Sequence, residues 1–139
     1  MICLFLYNND IDMSITSGII KLAIDEAEKS VYRFRVGAVV FKGSRILSSG
    51  HNGIRSSRIH PFYKKYNNAC HAEQDAILNI KDWSTIKGCS ILVVKISKKI
   101  GILSNARPCS MCQELLRYTG IKTMFYSNTN GEIISEKLE

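Results

Sequence analysis

The 139-residue chain has no apolar run near the roughly 20 residues that a membrane-spanning helix needs. It has no internal repeat and no low-complexity segment, so solenoids and biased tails are set aside. Proline occurs only at Pro61 and Pro108, and no proline-rich linker divides the chain. Its length suits one domain, expected over 13–139, behind a segment 1–12 without a clear pattern. Met1 to Tyr7 is apolar but too short for a signal peptide, and it lacks a basic flank and a small-residue cleavage site. The cysteines number five, an odd count, and the chain can bury an ordinary core without disulfide staples. A reducing, cytoplasm-like compartment is therefore expected, not secretion. Acidic residues are short as well: 12 against 19 Lys and Arg, for a net charge of +7 and a pI near 9.3. That balance suits a polyanionic partner or a phosphorylated small substrate, although scattered surface lysines also serve solubility alone.

What is present is a set of metal-ligand chemistry. His71-Ala72-Glu73 is followed downstream by Pro108-Cys109-Ser110-Met111-Cys112. One imidazole and two thiols make a three-ligand zinc site with one position left for water, the pattern of catalytic zinc. Cys109 and Cys112, three apart, share one face of a helix's first turn, and Pro108 suits the entry to that helix. A helix N-terminus also favours thiolates. Residues i and i+2 of a regular helix diverge, so His71 and Glu73 serve one pocket only if His71 is at the helix entry and Glu73 in the first turn. Glu73 is the group left to move protons, and that role asks for a buried carboxyl with a raised pKa. The alternatives are a structural zinc site with a fourth ligand from Cys70, His51 or His60, and a redox Cys-x-x-Cys pair that leaves His-Ala-Glu unexplained. Cys3 and Cys89 read as small apolar residues in or near strands.

Along the chain, Ser14 or Ser17 is placed to cap a helix running to about Lys29, with Ile15, Ile19, Leu22, Ala23 and Ala27 as its apolar stripe. Val36 to Phe41 and Arg45 to Ser49 read as a hairpin around Lys42-Gly43-Ser44. Gly50-His51-Asn52-Gly53 opens a long loop to Ala69, in which Arg55, Arg58, Lys64 and Lys65 are interleaved with Phe62, Tyr63 and Tyr66. Such a mixture can bind nucleotide phosphate and base. A helix starts at His71, and Ser90 to Ile96 is a fully apolar strand ended by Lys95, Lys98 and Lys99. Lys98 to Arg107 is a loop. A helix over Cys109–Tyr118 stops at Gly120, and strands follow at Ile121–Tyr126 and Glu132–Glu136. Strand–helix–strand crossovers make the later strands parallel and bring both motif helices to one sheet edge.

With these motifs, together with Val36-Gly37-Ala38-Val39-Val40 and Gly50-His51-Asn52-Gly53, the chain resembles the zinc-dependent cytidine and deoxycytidylate deaminase superfamily from about Val36 to Glu132. The resemblance implies an α/β fold, a three-layer α/β/α sandwich around a five-stranded mixed sheet. It implies one Zn²⁺ per chain on His71, Cys109 and Cys112, with Glu73 as proton shuttle for water activated on the metal. Asn52 would hydrogen-bond the substrate sugar, and the Ala72 backbone N–H would help orient the base; Asn-Gly is also a common turn pair. Adenosine-editing tRNA enzymes tend to carry an acidic residue before the Pro-Cys, where this chain has Arg107. The leading expectation is hydrolytic deamination of cytosine in a free nucleoside or nucleotide. A deaminase acting on single-stranded DNA or RNA and a non-catalytic zinc-stabilised binding module stay open. Arg55, Arg58, Lys64, Lys65 and Arg107 are the candidate phosphate or nucleic-acid contacts. A homo-oligomer is expected, because relatives often complete one another's sites.

Overall fold

A computed structural model describes residues 15–54, 69–97 and 103–138. In chain order these form α1 (Ser17–Glu28), β1 (Arg35–Lys42), β2 (Arg45–His51), β3 (Gly53–Ile54), β4 (Ala69–Cys70), α2 (Ala72–Leu78), β5 (Ser90–Ile96), β6 (Leu103–Ser104), α3 (Ser110–Thr119), β7 (Thr123–Ser127) and β8 (Ile133–Lys137). A 3₁₀ turn, Trp83–Thr85, leads into β5. The main sheet runs β2-β1-β5-β7-β8, with β6 paired to the end of β5. β5 and β7 are parallel, and the other pairings are antiparallel. The expected five-stranded mixed sheet is therefore present, with the short β6 added to it. Among the described residues no helix is long and apolar enough to cross a membrane.

The period-2 alternation of the strands sorts the core into two layers. Val39, Phe41, Leu92, Val94, Phe125 and Ile133 face α1, whose Ile19, Ile20, Ala23, Ile24 and Ala27 are buried against them. Ala38, Val40, Ile91, Val93, Met124 and Tyr126 face the opposite way, towards Ala72, Ala76 and Ile77 of α2 and Leu115 and Leu116 of α3. This is the three-layer α/β/α arrangement. Glycine lets the helices approach. A Cβ at Gly37 would lie 2.1 Å from the Ala23 carbonyl oxygen of α1, and one at Gly50 would lie 2.4 Å from the Ala76 nitrogen of α2.

Several boundaries differ from the sequence reading. The cap of α1 is Thr16, whose hydroxyl accepts from the Ile19 N–H at 3.2 Å, and not Ser14 or Ser17. Threonine at this position satisfies an orphan N–H of the first turn just as serine would. Leu103–Ser104, expected as loop, pairs with Lys95–Ile96. The long loop is closed at its base by Gly53 opposite Cys70 and Ile54 opposite Ala69. Arg55, Arg58, Phe62, Tyr63, Lys64, Lys65 and Tyr66 lie outside the described residues, as do His60, Lys98, Lys99, Cys3 and the expected segment 1–12. Cys89 is buried, as its apolar setting suggested, with its thiol 3.4 Å from the Thr85 carbonyl.

Candidate active site

Helix α2 has only seven residues, too few to be stable alone, so its position comes from packing and from side-chain ties to β2. The Ser48 hydroxyl donates to the Ala76 carbonyl at 2.7 Å. The Asn79 amide donates to the Ser49 carbonyl at 2.8 Å, and the His51 N–H donates to Asp75 at 3.1 Å. Thus fixed, α2 presents His71 as its N-cap in extended conformation, φ −74° and ψ 156°, with Glu73 in the first turn. Those dihedrals resolve the i, i+2 problem: the break at the cap swings the imidazole onto the side that Glu73 faces.

Helix α3 is set by a second group of contacts. Its N-cap is Cys109, and the buried Gln113 amide donates to the Pro108 carbonyl at 2.8 Å. Pro108 therefore stands just before the cap, two residues ahead of the first helical position, Ser110. At the far end Gly120 takes the left-handed conformation, φ 92°, and the Ile121 N–H returns to the Leu116 carbonyl at 3.0 Å. The approach to the helix, 105–108, is pinned from β7 and β8. The Ala106 N–H donates to the Ser127 carbonyl at 2.8 Å. Arg107 forks onto Glu136 with Nε at 2.7 Å and a terminal nitrogen at 3.0 Å, and the Tyr126 hydroxyl donates to the same carboxylate.

The two helix entrances meet. His71 Nδ1 lies 3.2 Å from Cys112 Sγ and 3.9 Å from Cys109 Sγ, and all three donor atoms lie within 4.8 Å of one another. Tetrahedral zinc with two sulfurs and one nitrogen sets donor separations of roughly 3.5–3.8 Å. The donor set fits one zinc, held through Nδ1, Sγ and Sγ. Hydrogen bonding from Cys112 and from His71 drops the Cys109 thiol to about 3. Cys112 moves the other way, because it donates to Cys109 and is buried. The Cys109 contact also raises His71. Glu73 is 5% exposed, and burial pushes its carboxyl above the usual range.

A cavity of about 260 Å³ opens here, lined by Val36, Asn52, His71, Ala72, Glu73, Lys95, Asn105, Ala106, Arg107 and Cys109. The structure thus gathers His71, Glu73, Cys109 and Cys112 and brings Asn52, Ala72 and Arg107 to the cavity wall. Asn52 also ties down backbone: its amide donates to the Phe34 carbonyl at 2.7 Å and accepts from the Val36 N–H at 2.9 Å. Arg107 is neutralised by Glu136. His51, weighed as a zinc ligand, has Nδ1 engaged with Glu26 at 2.9 Å. The sequence reading missed Tyr126 and Glu136. They meet because Tyr126 pairs with Ile134, which puts Glu136 on the same face two residues along, and only the β7–β8 register shows that. Lys95, one of the basic cluster Lys95, Lys98 and Lys99 at a strand end, lines the cavity.

Comparison with known proteins agrees with this geometry. The family model for the cytidine and deoxycytidylate deaminase zinc-binding region matches residues 13–128. The chain belongs to that family. It is 31% identical to human deoxycytidylate deaminase over 104 residues, which cover 66% of this chain and 52% of that protein. The chain thus spans about half the length of the curated relatives it matches. Among solved structures, the dCMP deaminase of cyanophage S-TIM5 is 25% identical with a TM-score of 0.52, over 84% of this chain and 89% of that one. That enzyme has also been solved in complex with dCMP and dUMP. The cytidine deaminase of Burkholderia pseudomallei shares the fold at a TM-score of 0.64 and 20% identity, covering 89% of this chain and 94% of its own.

Proposed function

We propose that this family member hydrolytically deaminates cytosine in a free nucleoside or nucleotide. The observation that carries the reading is a buried carboxyl, Glu73, beside a His71/Cys109/Cys112 donor set at the floor of a cavity sized for a single small molecule. Zinc held by those three donors would supply Lewis acidity and so make a water acidic enough to attack near neutral pH.

The chain's own residues do the rest. Glu73, shielded from solvent, takes the proton of the attacking water and delivers it to a ring nitrogen. The water oxygen bonds to the amine-bearing carbon. Glu73, again a carboxylate, then takes the proton of the newly bound hydroxyl and passes it to the amine; the C–N bond breaks as the carbonyl forms, and ammonia leaves. One carboxyl can act as base and then acid because burial holds its pKa towards the working range. Ala72 is the first residue of α2, so its N–H has no intrahelical acceptor, which supports a role in orienting the base. Asn52 keeps a second amide hydrogen and a second lone pair beyond its two backbone bonds, enough to hold a sugar hydroxyl. Arg55, Arg58, Lys64 and Lys65 stay candidates for an outer contact with substrate, and pairing of subunits around the site belongs to the same reading.

The test is ammonia release by the zinc-loaded protein. The panel is cytidine, deoxycytidine, their 5′-monophosphates, adenosine, guanine and single-stranded oligonucleotides. Turnover of at least one free cytosine nucleoside or nucleotide is expected. Activity on single strands alone would overturn the reading in favour of a polynucleotide deaminase, and inactivity throughout would leave a zinc-stabilised binding module.

A further inference from the structure

The cavity carries two cations on its wall, and they stand in different states. Arg107 is paired in a two-point fork with Glu136. Lys95 has no ion pair among the described residues, and its Nζ sits 4.4 Å from the centroid of the Phe34 ring. A cation over an aromatic face is steadied without losing its charge, and its N–H donors stay available to a ligand. Lys95 is half-buried near the end of β5, directly opposite Val36 on β1 and Ser104 on β6. Asn52 continues the same row, through its bonds to Val36. Asn52, Val36, Lys95 and the residues after Ser104 therefore form one wall, in which Lys95 lies about 10 Å, two strand spacings, from Asn52. Asn52 also holds the Phe34 carbonyl, so one side chain fixes the loop whose ring braces Lys95.

This inference rests on the proposed reaction and deepens it. We infer that Lys95 is the specificity-determining cation of this site and that its ammonium pairs with the 5′-phosphate of a single nucleotide whose base lies against Glu73. A cation on the wall of a cavity, with no carboxylate partner among the described residues and partly shielded from water, favours an anionic group over a neutral hydroxyl there. A phosphomonoester is the anionic group that a cytosine nucleoside ordinarily carries. The cavity volume of about 260 Å³ fits one nucleoside unit, which favours a monomer's phosphate over those of a polymer.

Binding of the reaction products to the zinc-loaded full chain tests this without turnover. Dissociation constants are measured for uridine, deoxyuridine, their 5′-monophosphates and a short single-stranded oligonucleotide lacking a terminal phosphate. The native protein is expected to prefer a monophosphate over its nucleoside by about 10–100-fold, the usual range for one charge-assisted contact. Lys95→Met should erase that preference while leaving nucleoside affinity within about twofold. Lys95→Arg should keep most of it, and Phe34→Ala should lose part of it. Equal weakening of nucleoside and nucleotide by Lys95→Met would show a structural role and overturn the inference. So would a native protein indifferent to the phosphate, or a loss on the oligonucleotide as large as on the monophosphate. Ammonia release from cytosine substrates, measured alongside, separates the two levels. Deamination with no effect of Lys95→Met on phosphate preference sinks Lys95 alone, and a Lys95-dependent preference without deamination sinks the reaction alone. A chain that binds none of the ligands sinks both.

Discussion

Cys109 and Cys112 differ by three residues and by environment: the first is exposed at the cap of α3 and the second buried one turn in. They hold the proton unequally, with Cys109 down at about 3 and Cys112 driven up by its bond to Cys109 and by burial. Zinc removes that asymmetry by demanding two thiolates, so the sulfurs are bound together or not at all. Cys109→Ser and Cys112→Ser should each lose zinc, read by metal analysis of the purified protein. Glu73→Gln, nearly isosteric, should keep zinc while turnover falls about 10²–10⁴-fold, the usual contribution of a general acid–base group. Full metal in both cysteine variants, or more than a tenth of native turnover in Glu73→Gln, would remove the assignments. These residues were legible in the sequence because each half of the site is local: His-Ala-Glu lies within one helix entrance and Pro-Cys-Ser-Met-Cys within another. Lys95 and Glu136 were not legible as site residues, since both depend on cross-strand register.

Elements succeeded or failed in the sequence by the same measure. The apolar stripe of α1, the β1–β2 hairpin, the run of β5 and the glycine stop of α3 all carry their signal within a dozen residues, and all are present. The two-residue strands β3, β4 and β6 have no such signal; distant segments meeting in space create them. The packing of α2 is likewise a matter of contact, because its seven residues are held by β2. Gly50 makes that contact, and an added methyl would press on the Ala76 nitrogen and the backbone of Asp75. Both sides are backbone, so neither can rotate away, and overpacking of this kind costs typically about 1–3 kcal/mol. Gly50→Ala should therefore lower the thermal midpoint and, by shifting the helix that carries His71, weaken zinc retention against a chelator. Gly53→Ala is the control, because nothing lies within 4 Å of its added carbon. A Gly50→Ala protein as stable and as zinc-retentive as Gly53→Ala would refute the close packing of α2 on β2.

At the scale of the molecule, a chain with a net charge of +7 places two of its few carboxylates where they tie distant elements together. Glu26 joins α1 to β2. Burial alone would raise its carboxyl, but bonds from Ser49, His51 and Lys29 bring it below the ordinary range. Glu136 joins β8 to the loop that delivers Cys109, and the Arg107 fork together with the Tyr126 hydroxyl lowers it to about 2. A carboxylate whose folded pKa lies below its unfolded value adds stability above the unfolded pKa, near 4.3 for glutamate, and loses it as pH falls towards the folded value. The contribution of Glu136 should therefore be complete at neutral pH and fade between about 4.3 and about 2. Solvent at this partly exposed pair makes it modest. The comparison is Glu136→Gln against the native chain, by urea midpoints from pH 7 down to pH 2. Metal loss on acidification is common to both proteins and cancels in the difference. The variant should be less stable at pH 7 and should converge on the native midpoint near pH 2. A deficit that persists undiminished at pH 2, or equal midpoints at pH 7, would mean that the Arg107–Glu136 fork does not hold the loop before Cys109.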